Sequence, residues 1–356
     1  MAKKYRKSNK NADQARSNAQ KLAFAPIMFQ AARALRNFGI LDYLKEHTDG
    51  VSVREIADNT GISFYGATVL LEAGLSMDLV MVKEDLYFLT KTGHFLCTDE
   101  MIRISMDFVN DVNYRGIYHL QESICSGKPI GLKDEYDVQG TVYEALSGLP
   151  ESFRKSWFGY DHFYSDAAYH QVIPIIFEKH PRRILDIGGN TGKFAIQCAE
   201  YDSNIIVTIL DLPGQLKQAE KNITQSGFND RIVCHSMDIL HSNQSLPNGN
   251  DIIWMSQFLD CFSEEQIIKI LKKVSKSMDQ STSLFILETL WDRQKHEAST
   301  YSLHATSLYF TCIANGNSRM YHSEDLQKLI KLSGLKIETW QDYIGISHTL
   351  IGCKKI

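Results

Sequence analysis

The period of the apolar positions changes along the chain, and each change marks a different architecture. From Lys21, Leu22, Phe24, Ile27, Met28, Ala31, Ala32, Leu35 and Phe38 recur at helical spacing. This predicts an amphipathic helix with a wide apolar face, ended by Gly39. A short helix is expected from Leu41 to His47. Ser52 and Glu55 stand at capping-box spacing and open a helix over VREIADNT, which Gly61 closes. A third helix runs from about Ser63 to Ser76, and LVMVKEDLYFLT then reads as two short strands joined at Glu84-Asp85. Helix, turn, helix and β-wing in this order is a winged-helix-like pattern.

Residues 99–180 read as helical. Met101 to Leu120 and Tyr143 to Tyr160 carry helix-period apolar residues, and the polar, Gly-containing stretch SGKPIGLKDEYDVQG between them reads as a loop. From Arg182 strands and helices alternate. RRILDIGG, NIIVTILDL, RIVCHSMD, DIIWMSQFL and SLFILETLW are strands. KFAIQCAEY, PGQLKQAEKNITQSG, SEEQIIKILKKVSKSM and SEDLQKLIKLSG are helices, the last capped by Ser323. Such alternation implies a mostly parallel, doubly wound sheet of the α/β class. LKIETWQDY and SHTLIGCKK end the chain as two strands joined by a short turn, so they are antiparallel.

Composition narrows the function classes. The 356 residues are 44% hydrophobic and 22% charged, an ordinary globular balance. Lys plus Arg number 38 and Asp plus Glu 42, a net charge of −4, against a protein that coats nucleic acid. The helix in the recognition position, SFYGATVLLEAGLS, has no Lys or Arg and one Glu, so it cannot neutralise phosphates. The module is instead expected to pair with a second subunit. No window reaches a membrane span, and the basic N-terminus lacks the apolar core of a secretory signal. Seven scattered cysteines, never spaced CxxC, suit buried thiols in a reducing compartment and give no metal site. The expected location is cytoplasmic.

The candidate chemistry gathers at the ends of strands. Asp186-Ile-Gly188-Gly189-Asn-Thr-Gly192 follows a strand and opens a helix, so its glycines let the backbone approach a ligand. The spacing G-G-x-x-G is neither that of a dinucleotide loop nor of a nucleotide-triphosphate loop. An acid at the strand end suits a cationic ligand. Asp211 ends the second strand, where an acid can accept both ribose hydroxyls or cap the following helix. Asp238, after the third strand, can accept from an adenine amino group. All three fall at the sheet edge where α/β proteins bind ligands.

Taken together, DIGGNTG, ILDLP, SMDIL, FLDCFSEEQIIKILKKV and NGNSRMYHSEDLQKLIKLSGL resemble the S-adenosylmethionine-dependent small-molecule O-methyltransferases, which include plant phenolic and actinobacterial polyketide methyltransferases. The resemblance covers the whole chain. It implies a basic tail at 1–20, a winged-helix-like dimerisation domain at 21–100, a helical linker covering the pocket at 101–180, and an S-adenosylmethionine-binding catalytic domain at 181–356, with a Rossmann-like sheet whose last strand is antiparallel. It also implies a homodimer. By resemblance, Gly188, Gly189 and Gly192 lie along the methionine part of the cofactor with Asp186. Asp211 and Leu212 hold the ribose, and Asp238 and Ile239 flank the adenine. Ser256 takes a cofactor-contacting position, and Arg154 binds the cofactor carboxylate or stands as a surface helix residue. The aromatics Trp157, Phe158, Tyr160, Phe163, Tyr164, Tyr309 and Phe310 suggest a ring-accepting pocket for a small-molecule acceptor or core packing.

One departure bears on the chemistry. The family pattern after the fourth strand is Leu-His-Asp-Trp, and its His is the base that deprotonates a phenol. This chain reads Leu259-Asp260-Cys261-Phe262. An ordinary carboxylate is a poor match to a phenol unless burial raises its pKa. Positioning supplies much of the rate of methyl transfer, so losing the His weakens the O-methyl reading rather than the methyltransferase reading. C- and N-methylation stand open beside it. Glu288, at the end of the fifth strand, and His304, in TYSLHATSLYF, are alternative bases; His348 lies farther off in the last strand. Two rivals remain: a non-catalytic S-adenosylmethionine-binding regulator, and a nicotinamide-dependent oxidoreductase, which the glycine spacing disfavours.

Overall fold

The computed structural model describes residues 10–356, apart from the side chains of Tyr164 and Asp166. The first nine residues of the expected tail and the expected pocket role of Tyr164 therefore lie outside the described residues. The chain folds as two compact units, one up to Val109 and one from Asn110.

The first unit opens with a helix over Ala12–Asn37, started by a reciprocal cap between Asn11 and Gln14. Its second half buries Ala32 and Leu35 in a core with Ile40, Leu41, Leu44, Ile56, Leu71 and Val80. Its first half buries nothing: Leu22 is 69% exposed and Ile27 66%. Helices over Ile40–Glu46, Val53–Thr60 and Phe64–Ser76 follow, the second started by the Ser52–Glu55 box. Strands β1 (Val80–Lys83) and β2 (Leu86–Leu89) pair antiparallel. Glu84 and Asp85 turn between them with φ of +52° and +61°. The short acidic side chains make this left-handed turn, as in a tight hairpin.

Beyond β2 the helical segments do not follow the apolar period to the end. Met101 to Leu120 is not one helix. Glu100–Phe108 gives way to a wider π turn over Val109–Asn113 and a short 3₁₀ turn over Gly116–His119. The polar stretch read as a loop contains a helix over Ile130–Tyr136, which buries Leu132; Pro129 precedes it and a left-handed Asp137 closes it. Tyr143 lies in a four-residue helix, Val142–Ala145, and Pro150 separates it from the long helix Glu151–Phe177. Proline cannot donate the amide a continuous helix needs.

The sheet is built from β3 (Arg183–Ile187), β4 (Ile206–Asp211), β5 (Ile232–Ser236), β6 (Ile252–Ser256), β7 (Ser283–Glu288), β8 (Leu335–Ile344) and β9 (His348–Lys355), in the order β5-β4-β3-β6-β7-β9-β8. The first five run parallel. β9 is antiparallel to β7, and β8 to β9. The class is α/β, as the alternation predicts. Each face carries its own core: Ile184, Phe194, Trp254 and Leu350 on one side, Leu185, Ile253, Ile270 and Leu329 on the other. The strand order reverses between β3 and β6, which opens a crevice at their carboxyl ends. One cap differs from expectation. His322, not Ser323, caps the helix Ser323–Leu332 through Nδ1, because the Ser323 hydroxyl donates to Asp292.

Candidate active site

The loop after β3 is shaped by what its glycines face. Gly188 has φ +76°, and a Cβ there would lie 2.3 Å from the Phe258 ring, so the missing side chain admits Phe258. At Gly189 a Cβ would meet Asp186 and Ile209. Gly192, at φ +78°, starts the helix Lys193–Tyr201. Three acids line this edge in three different states. Asp186 is buried and its Oδ2 has no hydrogen-bond partner; burial, with the nearby charge of Asp211, pushes its carboxyl up to about 8. Asp211 accepts from the amide of Asn190 (2.8 Å) and from that of Leu212 (2.7 Å). Burial still raises it to about 6. Asp238 is spent on its own turn: it accepts from the amides of Leu240 and His241 and meets His241 Nδ1 at 2.8 Å, which holds its carboxyl low. Ile239 is buried in the core beside Leu185 and Leu210.

The far side of the crevice carries the residues after β6. Ser256 ends that strand with a buried, unpartnered hydroxyl. Gln257 has φ +47° and takes the Nε2 of His348 at 2.5 Å. His348 is fully buried, and burial lowers its pKa to about 4. Sequence reading set it away from the site; antiparallel β9 instead starts beside the end of β7. Leu259–Cys261 form a 3₁₀ turn that buries Asp260. Glu288 pins this turn: its Oε1 accepts from the amides of Phe258 (3.0 Å) and Leu259 (2.7 Å), while its Oε2 is buried without a partner. Burial pushes both carboxyls up. Glu288 rises further, because the Asp260 charge adds to its burial.

The long helix supplies the third wall. Trp157 Nε1 donates to the Tyr309 hydroxyl at 2.7 Å, and Tyr160 meets Thr306 at 3.2 Å. Asp161 receives the Asn190 side chain of the glycine loop at 3.2 Å. Arg154 lies one and two turns before these residues on the same face, and its Nε is buried with no hydrogen bond among the described residues. Two groups that sequence reasoning did not select join them. The Tyr143 hydroxyl is buried beside the Cys261 thiol without a well-aligned hydrogen bond. That thiol in turn donates to Asp260 at 3.4 Å. His304 lies on the outer side of its helix. Leu303, Thr306 and Phe310 face inward, whereas His304 is exposed with its ring 4.9 Å from Trp291. Apart from the crevice, His119, Glu122 and Asp134 bring ligand-type atoms within 4.8 Å of one another on the surface, where sequence reading foresaw no metal site.

A glycine loop after the first strand of a parallel sheet, with acids on the next strand ends and an antiparallel final strand, defines a Rossmann-like architecture with a ligand crevice at one sheet edge. The orphaned polar atoms fit a zwitterionic amino-acid head: Arg154 Nε offers a cationic donor, Asp186 an acceptor and Ser256 a hydroxyl. Residues 16–87 match the Dimerisation2-like domain and residues 170–336 the O-methyltransferase domain. The chain is 22% identical over 323 residues to L-tyrosine C(3)-methyltransferase of Streptomyces lavendulae, covering 90% of this chain and 87% of that protein. It is 26% identical to 3-hydroxy-5-methyl-1-naphthoate 3-O-methyltransferase of Streptomyces sahachiroi over 68% of each. Its fold matches the S-adenosylmethionine-dependent methyltransferase SibL with a TM-score of 0.72 at 20% identity, covering 95% of this chain and 99% of that one. The mitomycin 7-O-methyltransferase MmcR matches with a TM-score of 0.73 at 16% identity, over 96% and 98%. The chain thus carries a Dimerisation2-like domain followed by an O-methyltransferase domain, and it is an S-adenosylmethionine-dependent methyltransferase.

Proposed function

We propose that this enzyme methylates a ring carbon next to the hydroxyl of a small hydroxyarene, with L-tyrosine as the first compound to test. The observation that carries the reading is Asp260, a buried carboxyl held by the Glu288-pinned turn where the resembling O-methyltransferases place a His. Burial brings its pKa toward that of a useful base, and its charge is close to the β6 end of the crevice. The tyrosine C-methyltransferase that aligns over nine-tenths of the chain supports carbon as the target atom.

S-adenosylmethionine supplies an electrophilic methyl on a sulfonium. Arg154 holds its carboxylate, Asp186, Gly188, Gly189, Gly192 and Ser256 line its methionine part, and Asp211 with Leu212 holds its ribose. Asp238 acts at the adenine through its turn rather than through a free carboxylate, since its oxygens are already engaged. Asp260 takes the hydroxyl proton of the acceptor. With S-adenosylmethionine bound, the ring carbon would accept its methyl through the ring's π electrons, the C–S pair remaining on sulfur. The ring C–H proton moves to the oxygen as aromaticity returns. Trp157 and Tyr309, locked together by their hydrogen bond, wall the ring and exclude water.

The first unit pairs with a second copy of the chain. Leu22, Phe24 and Ile27 leave an apolar helix half exposed in the stretch that matches the Dimerisation2-like domain. Leu22→Asp with Ile27→Asp is expected to halve the mass seen by light scattering; an unchanged mass contradicts the pairing. All seven cysteines are free, which fits a reducing, cytoplasmic location. The catalytic reading is tested by offering the enzyme S-adenosylmethionine labelled in the methyl group with L-tyrosine, a hydroxynaphthoate and simple phenols. Transfer of label to a hydroxyarene supports it. Binding of S-adenosylhomocysteine without turnover on any of them contradicts the hydroxyarene reading.

A further inference from the structure

The Tyr143 hydroxyl is a buried polar group with no well-aligned hydrogen bond. Leaving such a group unpaired costs stability, a cost a ligand removes by supplying the partner. Its surroundings name the kind of partner. The hydroxyl lies beside the Cys261 thiol, within the electrostatic reach of Asp260 and Tyr309. Cys261 is turned toward Asp260 at 3.4 Å. Its backbone carbonyl is held by Asn315 Nδ2 at 2.8 Å, so the thiol side of the turn is fixed. Tyr143 is fixed as well: its carbonyl accepts from Gln215 at 3.2 Å, and its short helix carries a reciprocal cap between Thr141 and Glu144. A rigid O–H donor and a carboxylate acceptor therefore both stand beside the Cys261 thiol.

Resting on the reading of this crevice as a hydroxyarene site, we propose that Tyr143 is the group that directs the methyl to carbon. It donates its hydroxyl hydrogen bond to the acceptor oxygen from which Asp260 has taken the proton. A phenolate oxygen engaged by a donor has its lone-pair density drawn into that bond and is a poorer nucleophile. The ortho carbon, which shares the negative charge and carries no such bond, becomes the reacting atom. Burial raises the Tyr143 pKa well above its ordinary value, so the group stays a neutral donor across the working range. No covalent change occurs at Tyr143; it keeps its proton throughout.

The test uses Tyr143→Phe, which keeps the ring and removes the donor, in the full chain loaded with S-adenosylhomocysteine. Calorimetric affinities for L-tyrosine and for L-phenylalanine, which lacks the hydroxyl, are compared with wild type. The expected result is about tenfold weaker binding of L-tyrosine and equal binding of L-phenylalanine. In turnover with S-adenosylmethionine, the variant is expected to shift product from ring carbon toward oxygen. Unchanged L-tyrosine affinity overturns the proposal, as does an unchanged ratio of carbon to oxygen product. Equal loss of both ligands marks a packing role and also overturns it. Wild-type enzyme that methylates oxygen alone defeats the ring-carbon reading itself, a result distinct from any Tyr143 outcome. If wild type takes another hydroxyarene of the panel instead of L-tyrosine, that compound and its analogue without the hydroxyl replace the pair, with the same outcomes deciding.

Discussion

The two halves of the crevice are made in different ways. On the cofactor side, the edge of β3 and β4 is built largely from backbone. Glycines at positive φ admit the Phe258 ring and start a helix, and Asp211 is satisfied by two amides of the loop it braces. On the acceptor side, around the turn after β6, the work falls to side chains drawn from distant parts of the chain. Tyr143, Trp157, Asp260, Glu288 and Tyr309 meet there. A backbone-built site fixes one ligand for a whole family. A side-chain-built site can change its acceptor, and the atom methylated, by single substitutions. Under the proposed function, Asp260, which stands where the resembling enzymes place a His, is one such substitution.

The difference can be broken most sharply at Asp260. Asp260→Asn is expected to lower turnover by about 10²–10⁴-fold, the ordinary worth of a general base, with S-adenosylhomocysteine affinity unchanged. Steady-state rates beside calorimetry check this, and equal loss of both would place Asp260 on the cofactor side. The acid limb of the wild-type rate profile should fall above the ordinary carboxylate range, since Asp260 must ionise and burial raises it.

Arg154→Met tests the other half. Its Nε is buried without a partner, so a ligand carboxylate would gain a charge-assisted bond. S-adenosylhomocysteine affinity is expected to drop about tenfold or more by calorimetry, with acceptor selectivity retained. An unchanged affinity would make Arg154 an ordinary helix residue.

The smallest effect concerns stability. Asp186 has its folded pKa raised to about 8, so the folded state favours the protonated form. That stabilisation is fully present below the ordinary carboxylate pKa and is lost as pH rises through about 8. The ligand-free protein should therefore melt at lower temperature at pH 8 than at pH 6. Asp186→Asn should flatten the decline by about 1–3 kcal/mol. A melting curve in which the variant declines as steeply as wild type would contradict the assignment.

The same contrast explains what could be read from the residues alone. Gly188, Asp186 and Asp211 lie within a few positions of strand ends, so strand periodicity and turn chemistry point directly at them. The acceptor side offers no local pattern. Helical spacing puts Trp157 and Tyr160 on one face but does not say that they meet Tyr309 and Thr306, some 150 residues away. Tyr143 reads as the start of a helical run by apolar period alone, and Pro150 within that run is the signal that separates it from the long helix. His304 sits one step from Leu303 and Phe310 on the helical wheel, enough to turn it outward. His348 reaches Gln257 only because the last strand runs antiparallel. The helix Ile130–Tyr136 hides in a polar, glycine-bearing stretch whose single fully buried apolar residue, Leu132, gives no period.

The account turns on which atom receives the methyl. The most direct measurement is the position of a ¹³C-methyl group carried from labelled S-adenosylmethionine to L-tyrosine, read by carbon–proton correlation NMR of the purified product. Correlation of the labelled methyl with aromatic ring carbons beside the hydroxyl-bearing carbon is the predicted result. A labelled methyl at the chemical shift of a methoxy group, with no ring-methylated product, would contradict it.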